Sequence, residues 1–247
     1  MNLILLRHGE SEWNLENRFT GWKDVGLTSK GQKEAEFAAN QLLKENYKIQ
    51  SVFTSLLNRA TETTSIVVKN ICFQENDVKY DWRLNERHYG ALQGLNKSET
   101  AAKYGEDQVQ TWRRSFDTPP PFLKIDDKRH PRFNKKFSKI DNKNLPSGES
   151  LKMVIERLRP FWNKYFDNLK FDDSSHLIVA HSNSLRAIVK ILENLSNDEI
   201  MKVNIPTGVP LVYTFDDNKK ILDKKYLIDD IELQKKQDLV INQGKVK

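Results

Sequence analysis

The sequence predicts an α/β fold of three layers, in which a mostly parallel sheet is covered by helices on both faces. Short apolar runs alternate with helical patterns along the chain, as they do in strand–helix–strand units. The apolar runs are continuous, which is typical of strands that are buried on both faces. With 247 residues, 38% of them hydrophobic and 30% charged, the chain is long enough to form a sizeable core.

The predicted strands are short runs of large apolar residues. They are expected at residues 2–6 (NLILL), 51–54 (SVFT), 176–180 (HLIVA) and 210–215 (PLVYTF). The predicted helices alternate with these strands. They are expected at residues 28–45, 58–69, 149–169 and 184–192.

The first and third helices have the clearest signals. In the first, Ala35, Ala38 and Leu42 recur at helical spacing. Ser29 and Gln32 fit a capping box at its start. In the third helix, six apolar residues form a single stripe: Leu151, Val154, Leu158, Phe161, Tyr165 and Leu169.

Two segments interrupt this alternation without dividing the chain. Residues 117–148 are rich in proline and basic residues and show little periodicity. Long ordered loops often cover functional sites, so we interpret this segment as a surface insertion over a site. A domain boundary and a merely solvated loop are the alternatives. Residues 229–247 are polar and predict a flexible tail, so the expected organisation is one domain over residues 1–247.

Composition limits the classes of partner and compartment. The net charge of +6 fits a generally charged surface or the attraction of small anions, and no aromatic-plus-basic motif predicts nucleic-acid binding. Cys72 is the only cysteine, which favours a reducing compartment, and its apolar neighbours predict a packed thiol. No apolar run approaches the ~20 residues that span a membrane, and no signal-peptide pattern is present. We therefore expect a cytoplasmic protein with neither nucleic-acid nor membrane partners.

Histidines follow two of the predicted strands at the point where each strand ends. Residues 3–6 lead into Arg7, His8 and Gly9, and residues 177–180 lead into His181. In open α/β sheets, ligands bind at the carboxyl ends of the strands. If these two strands are neighbours, the two imidazoles face each other. Arg59 follows a third strand by a few residues and is expected at the same place.

This set of side chains suits a phosphoryl group. Arginine's planar fork matches phosphate oxygens, and an unprotonated histidine nitrogen is a competent nucleophile toward phosphorus. Neighbouring arginine charge disfavours the imidazolium form and so keeps that nitrogen available. A helix N-terminus after His181 adds a further end that attracts anions. Gly9 is expected to leave room for backbone to approach the ligand.

Several longer segments resemble the histidine phosphatase superfamily, and within it the cofactor-dependent phosphoglycerate mutases. The motif LLRHGESEWN by itself indicates only the superfamily. The block ERHYGALQGLNK is more specific and points to the mutase branch. Further matching segments cover nearly the whole chain: TSLLNRATET, WRRSF, HSNSLRAIVK, NIPTGVPLVY and NQGKVK. The resemblance implies a histidine-phosphatase-like fold.

The resemblance also implies roles for particular residues. His8 matches the residue that carries the phosphoryl group, Arg7, Arg59 and His181 match its phosphate pocket, and Glu86 matches the general acid and base. From the residues alone, an ion pair with a neighbouring arginine is the simpler interpretation of Glu86. Other positions match residues that bind substrate: Ser11, Asn14, Thr20, Gly21, Arg87, Tyr89, Lys97, Arg113, Arg114, Ser182 and Asn183.

The reaction implied by the resemblance is the glycolytic and gluconeogenic interconversion of 3-phosphoglycerate and 2-phosphoglycerate. Phospho-His8 would give its group to the substrate and recover the other one, with 2,3-bisphosphoglycerate as the primer. The scheme needs no metal, and the five histidines show no HxxxH pairing. The family also implies a homo-oligomer, either a dimer or a tetramer.

Two features qualify this hypothesis. The family pattern has glycine after the second histidine, whereas this chain has Ser182, and we expect reduced but present activity. The C-terminal tail is expected to close over the site and exclude water. A phosphatase of the same superfamily and a non-catalytic phosphate-binding module are the alternative functions.

Overall fold

The central sheet has six strands, and its order brings the predicted histidine-bearing strands side by side. The computed structural model describes residues 1–169 and 173–243. The strands are β1 (Asn2–Arg7), β2 (Ile49–Thr54), β3 (Lys79–Tyr80), β4 (Ser175–Ala180), β5 (Pro210–Phe215) and β6 (Ile221–Tyr226), in the spatial order β3-β2-β4-β1-β5-β6. The pairs β1–β4, β2–β4 and β2–β3 are parallel, whereas β5 is antiparallel to both β1 and β6. The predicted mostly parallel sheet is therefore confirmed.

Helices connect the strands and also follow the last one. They are α1 (Glu12–Leu15), α2 (Ser29–Lys44), α3 (Asn58–Asn70), α4 (Lys97–Tyr104), α5 (Glu106–Arg114), α6 (Leu151–Tyr165), α7 (Ser182–Glu193), α8 (Asn197–Lys202) and α9 (Asp230–Asn242). Helix α9 covers much of the segment that the sequence predicts as a tail, of which residues 244–247 lie outside the described residues. Within residues 1–169 and 173–243, no helix is long and apolar enough to cross a membrane.

Alternation along β1 produces the two covered faces of the sheet. Ile4 and Leu6 pack in one hydrophobic cluster with residues of α2 and α3. Leu3 and Leu5 point the other way and pack in a second cluster with residues of α6 and α7. Each of these four side chains is almost fully buried, and a fully buried leucine contributes about 2 kcal/mol relative to an exposed one. The predicted three-layer arrangement is confirmed.

Two local predictions are wrong. Helix α2 is capped by Thr28, whose Oγ1 accepts the N–H of Gly31 at 3.1 Å, so the cap lies one residue before the predicted Ser29. Cys72 is exposed rather than packed. It has a positive φ of 56°, in the turn that ends α3, and that turn directs its side chain away from the core.

The proline-rich segment 117–148 packs beside the strand ends. It contains three short 3₁₀ turns. Phe137 is buried there in a small cluster with Trp22 and Leu57, and the Lys136 ammonium pairs with the Asp24 carboxylate. This contact fixes the segment to the loop that precedes α2. The single-domain organisation stays a prediction.

Candidate active site

The sheet register places the two histidines together. Arg7 at the end of β1 pairs with Ala180 at the end of β4, so His8 and His181 follow at equivalent positions. The centroids of the two imidazole rings are 4.9 Å apart, and the ring planes are inclined by 61°. Both rings are buried. The juxtaposition that the sequence suggests through neighbouring strands is therefore present.

Hydrogen bonds define the two nitrogens of His8. Nδ1 lies 2.7 Å from the carbonyl oxygen of Gly9, which can only accept, so Nδ1 carries the proton. Nε2 accepts the Nε–H of Arg59 at 3.2 Å. Burial, together with the charges of Arg59 and Arg7, holds the pKa of His8 well below its ordinary value. The ring is therefore neutral near pH 7, with its lone pair on Nε2.

Arg59 is held rigidly in the first turn of α3. Its Nη1 and Nη2 donate to the carbonyl oxygens of Lys23 and Gly21 at 3.1 and 2.9 Å. Asp24 caps the same helix, because its Oδ1 accepts the N–H of Asn58 at 2.6 Å. Burial lowers the pKa of Arg59 to about 10, which still leaves the guanidinium charged at neutral pH.

His181 has one nitrogen satisfied and one without a partner. Its Nε2 lies 2.8 Å from the hydroxyl of Ser55, which follows the end of β2. Its Nδ1 is buried and has no hydrogen-bond partner among the described residues. Burial, followed by the charge of Arg59, holds the pKa of His181 well below its ordinary value. Sequence reasoning missed Ser55, although the rule of strand carboxyl ends applies to it as well.

Two glycines permit close approaches of the backbone around the histidines. A Cβ at Gly9 would lie 2.1 Å from the carbonyl oxygen of Gly31 in α2, so Gly9 makes room for a helix. The expectation that Gly9 makes room for a ligand is therefore wrong. Gly21 has φ +54°, which disfavours other residues, and its carbonyl oxygen is thereby presented to Arg59.

Glu86 is buried and anchored by backbone donors. Its Oε1 accepts the N–H of Arg87 at 2.8 Å and the N–H of Asn183 at 3.1 Å, at the start of α7. No ion pair within residues 1–169 and 173–243 includes Glu86, so the alternative of an arginine ion pair is not observed. Asn183 also donates from Nδ2 to the hydroxyl of Tyr89 at 3.2 Å.

A single cavity brings most of the predicted residues together. Of the predicted set it is lined by Arg7, His8, Asn14, Thr20, Gly21, Arg59, Glu86, Tyr89, Lys97, Arg113, Arg114, Ser182 and Asn183. The lining also includes residues that sequence reasoning missed: Arg18, Arg186, Val240 and Gln243. Seven of the lining side chains are cationic and one is a carboxylate. The cavity is therefore built for a strongly anionic ligand.

Three of the predicted residues lie behind this lining. His181 lies beside His8, with 4.9 Å between the ring centroids. Ser11 donates from Oγ to Oδ1 of Asn14 at 2.9 Å, which leaves the Asn14 NH₂ group for a ligand. Arg87 donates from Nη2 to the carbonyl oxygens of Trp112 and Arg113 at 2.9 and 3.0 Å. Direct substrate contacts of Ser11 and Arg87 stay predictions.

The end of the C-terminal helix closes one side of the cavity. Lys97 donates from Nζ to Oε1 of Gln243 at 3.3 Å, and Arg113 donates to the backbone oxygen of Gln243. Burial, followed by the charge of Arg113, holds the pKa of Lys97 well below its ordinary value. Burial, followed by the charge of Arg186, lowers the pKa of Arg114 to about 9.

Ser182 occupies an ordinary backbone conformation. It is the first residue of α7, and it is absent from the residues with positive φ in the described chain. Serine therefore replaces the expected glycine without backbone strain. Its half-buried side chain adds a hydroxyl to the cavity wall.

Comparisons with known proteins agree with this geometry. The model of the histidine phosphatase superfamily (branch 1) matches residues 3–122 and 122–226. A curated 2,3-bisphosphoglycerate-dependent phosphoglycerate mutase from Treponema denticola is 51% identical over 247 residues, which cover 100% of both chains.

Solved structures with the same fold are more distant in sequence. The structure described as mycobacterial hydrolase 1 superposes with a TM-score of 0.69 at 22% identity, covering 92% of this chain and 96% of the other. A mycobacterial glucosyl-3-phosphoglycerate phosphatase in complex with VO₃ gives a TM-score of 0.69 at 22% identity, covering 91% and 96%. A putative α-ribazole-5′-P phosphatase from Escherichia coli gives 0.67 at 17% identity, covering 93% and 96%. At these identities the likeness shows the fold alone.

Proposed function

The chain belongs to the histidine phosphatase superfamily, and from that premise we infer that it interconverts 3-phosphoglycerate and 2-phosphoglycerate. The phosphoryl group is transferred through His8. The full-length likeness to a curated mutase supports this substrate class. The proposed setting is the cytoplasm, and the proposed assembly is a homo-oligomer.

The observation that carries this proposal is the excess of positive charge around His8. A phosphoglycerate carries about −3 at neutral pH, and a phosphoryl group on histidine adds about −2. Seven cationic side chains and one carboxylate line the cavity. That excess matches a phosphoglycerate and a phosphoryl group held at the same time. A phosphatase acting on a simple monoester needs to balance only about two negative charges.

His8 acts as the nucleophile. Its Nε2 carries the lone pair because Nδ1–H is held by the Gly9 carbonyl oxygen at 2.7 Å. Arg59 donates to this same Nε2 in the present structure. A phosphoryl oxygen is the stronger acceptor, so a bound phosphoester takes over this N–H from Nε2 and frees the lone pair, while the backbone carbonyl groups keep the guanidinium in place.

Glu86 moves the proton. When a substrate hydroxyl attacks the phosphoryl group on His8, the carboxylate of Glu86 takes the hydroxyl proton. When the group returns to His8, the carboxylic acid gives the proton back to the departing oxygen. Two backbone N–H groups hold Oε1, which leaves Oε2 to make this exchange.

The donor set fits a bisphosphorylated glycerate as the primer. Arg7 Nε and His181 Nδ1 are buried polar atoms that have no hydrogen-bond partner among the described residues. Together with Arg59 they would hold one phosphate, and Lys97, Arg113 and Arg114 would hold the other anionic groups. The primer supplies the phosphoryl group that charges His8.

The deciding experiment follows conversion of 3-phosphoglycerate to 2-phosphoglycerate, with and without trace 2,3-bisphosphoglycerate, in excess chelator. We expect activity that depends on the primer, survives the chelator and is lost in His8→Ala. Acid-labile phosphate on the wild-type protein should disappear in the same variant.

The alternative functions give different results in this assay. Release of inorganic phosphate without 2-phosphoglycerate would assign the protein as a phosphatase. If phosphoglycerate bound without any turnover, the protein would be a non-catalytic binding module. Either result would overturn the proposed mutase activity.

A further inference from the structure

A buried ion pair lies outside the cavity, next to the segment that carries Glu86. Arg157 of α6 donates from Nε to Oε1 of Glu149 at 2.6 Å and from Nη2 to Oε2 at 3.1 Å. The two side chains are only 6% and 3% exposed. Neither residue lines the cavity, and neither has a role in the proposed chemistry. A bidentate pair in this position requires a reason, because removing charges from water is costly.

Arg157 uses its remaining donors on the backbone before Glu86. Its Nη1 donates to the carbonyl oxygen of Arg83 at 2.7 Å. Its Nη2 donates to the carbonyl oxygens of Asn85 at 3.2 Å and of Glu86 at 3.3 Å. One guanidinium therefore gathers the carbonyl groups of a segment that belongs to no long helix or strand.

Glu149 and Trp22 also hold this segment, at His88 and at Glu86. Glu149 accepts the N–H of His88 with Oε2 at 2.8 Å, and its own N–H donates to the His88 carbonyl oxygen at 2.9 Å. Trp22 donates from Nε1 to the carbonyl oxygen of Glu86 at 2.6 Å. The Arg157 guanidinium lies over the Trp22 ring, 5.6 Å from its centroid. The backbone of Glu86 is thus fixed on both sides.

We propose that Arg157, oriented by Glu149, is a positioning residue that aims the Glu86 carboxyl at the reacting oxygen. The proposal rests on the proposed function, in which Glu86 exchanges a proton with that oxygen. A proton can pass only over hydrogen-bond distance, so a small displacement of the Glu86 backbone interrupts the exchange. The phosphate pocket formed by His8, Arg7 and Arg59 is built from other elements and stays intact.

Two phosphoryl donors with different leaving groups can distinguish a misplaced Glu86 from general structural damage. When bisphosphoglycerate charges the enzyme, the bond from His8 Nε2 to phosphorus forms and the phosphorus–oxygen ester bond breaks. The departing alkoxide takes its proton from Glu86, which becomes a carboxylate. When 4-nitrophenyl phosphate charges the enzyme, the same bonds form and break, but 4-nitrophenolate departs without a proton.

The experiment measures the rate of His8 phosphorylation from each of these two donors. We expect Arg157→Lys and Glu149→Gln to slow charging from 2,3-bisphosphoglycerate by about 10- to 100-fold, as expected for a misplaced acid. Charging from 4-nitrophenyl phosphate should change less than about threefold, because it needs no acid. The matched controls are Arg159→Lys and Glu156→Gln, which alter exposed residues of the same helix and should leave both rates unchanged.

An equal loss with both donors would overturn the proposal, and so would unchanged rates in both variants. If neither variant folds, Trp22→Phe decides, because it removes the N–H donor to the Glu86 carbonyl oxygen and should show the same selective loss, whereas damage from the smaller ring alone would slow both donors equally. A wild-type protein that is charged by neither donor would instead contradict the proposed function. The two failures are therefore distinguishable.

Discussion

Lys97 is a buried cavity residue whose charge we expect to depend on the ligand. It is buried among arginines, and burial together with Arg113, Arg7 and Arg114 lowers its pKa. A bound anion offsets both effects and raises that pKa again. At any pH between the pKa of Lys97 in the free protein and its higher pKa in the complex, Lys97 is neutral when free and charged when the ligand is bound. Substrate binding is then coupled to the uptake of a proton.

Isothermal titration can detect this coupling. Binding of 3-phosphoglycerate, measured in two buffers with different ionisation heats, should show uptake of up to about one proton, and affinity should weaken as the pH rises. The matched control is Lys97→Arg, which stays charged and should abolish the uptake. Identical proton uptake in the wild type and Lys97→Arg would exclude Lys97 as its source.

Ser182→Gly tests the one departure from the family pattern. Ser182 has helical backbone torsions, so glycine brings no release of strain. Only the hydroxyl is lost, so the reduction in activity that the sequence led us to expect should be small, and kcat and KM for phosphoglycerate should change less than about threefold. A rise in kcat of more than about tenfold would show instead that the hydroxyl crowds the ligand.

At the residue scale, strand-end patterns predicted the two histidines together with Arg7 and Arg59, whereas most of the other cavity residues were implied only by the family resemblance. Two of the missed residues had usable signals. Ser55 follows a strand end just as His8 does, and Arg186 lies four residues after Ser182 on the same face of α7. Gln243 had no such signal, because a glutamine in a polar tail looks like any solvated residue. Only the fold brings it to Lys97.

At the scale of elements, removing the end of the C-terminal helix α9 tests whether this helix keeps water out of the cavity. Val240 and Gln243 line the cavity, and Gln243 provides oxygen acceptors to Lys97 and Arg113. A chain ending at residue 239 loses this wall and admits water to phospho-His8. We expect its ratio of phosphatase to mutase activity to rise about 10-fold or more.

A second truncation provides the control for this prediction. A chain ending at residue 243 keeps Val240 and Gln243, and so keeps every described contact of the tail with the cavity. Its ratio of phosphatase to mutase activity should be closer to that of the full chain than the ratio of the chain ending at residue 239 is. An unaltered ratio in the chain ending at residue 239 would refute water exclusion by α9.

The sequence predicted the helices and strands with strong apolar periodicity. It missed those that bury functional polar residues or are mostly exposed. Helix α5 buries Arg113 and Arg114 beside Val109, so its buried face reads as polar. Strand β6 lies at the sheet edge, and its central four residues are exposed. Helix α9 buries only Val240. Neither β6 nor α9 leaves a clear amphipathic pattern in the sequence, and the buried face of α5 is not marked by apolar residues.

For the whole molecule, buried neutral histidines predict a loss of stability in acid. Burial lowers the pKa values of His8 and His181 and brings that of His88 to about 3. At pH values below the ordinary histidine pKa near 6.5, these histidines bind protons in the unfolded chain but not in the folded one. The free energy of unfolding should therefore fall between pH 7.5 and 5.5, by about 1 kcal/mol for each of these histidines.

Urea unfolding at these two pH values measures the loss. His88→Asn can keep the acceptor for the N–H of Gly90 without a titrating ring, and should reduce the loss by about one histidine's share. Stability that is equal at both pH values would show that the three rings titrate normally.

The architecture of the molecule was predictable, but its strand order was not. Continuous apolar runs and helical stripes indicate a covered parallel sheet without saying which strands are neighbours. The pairing of β1 with β4, on which the site depends, is decided by packing between distant segments. Sequence patterns report each segment separately and contain no such information.

The central place of β1 has a consequence for how the molecule is made. This strand is synthesised well before both of its partners, β4 and β5, which lie between residues 175 and 215. The apolar segment of β1 therefore waits unpaired on the ribosome until most of the chain has emerged, and it is a natural binding segment for chaperones during that time. His8 and His181 meet only when this late pairing occurs, so a nascent chain has no phosphate pocket until its folding is almost complete.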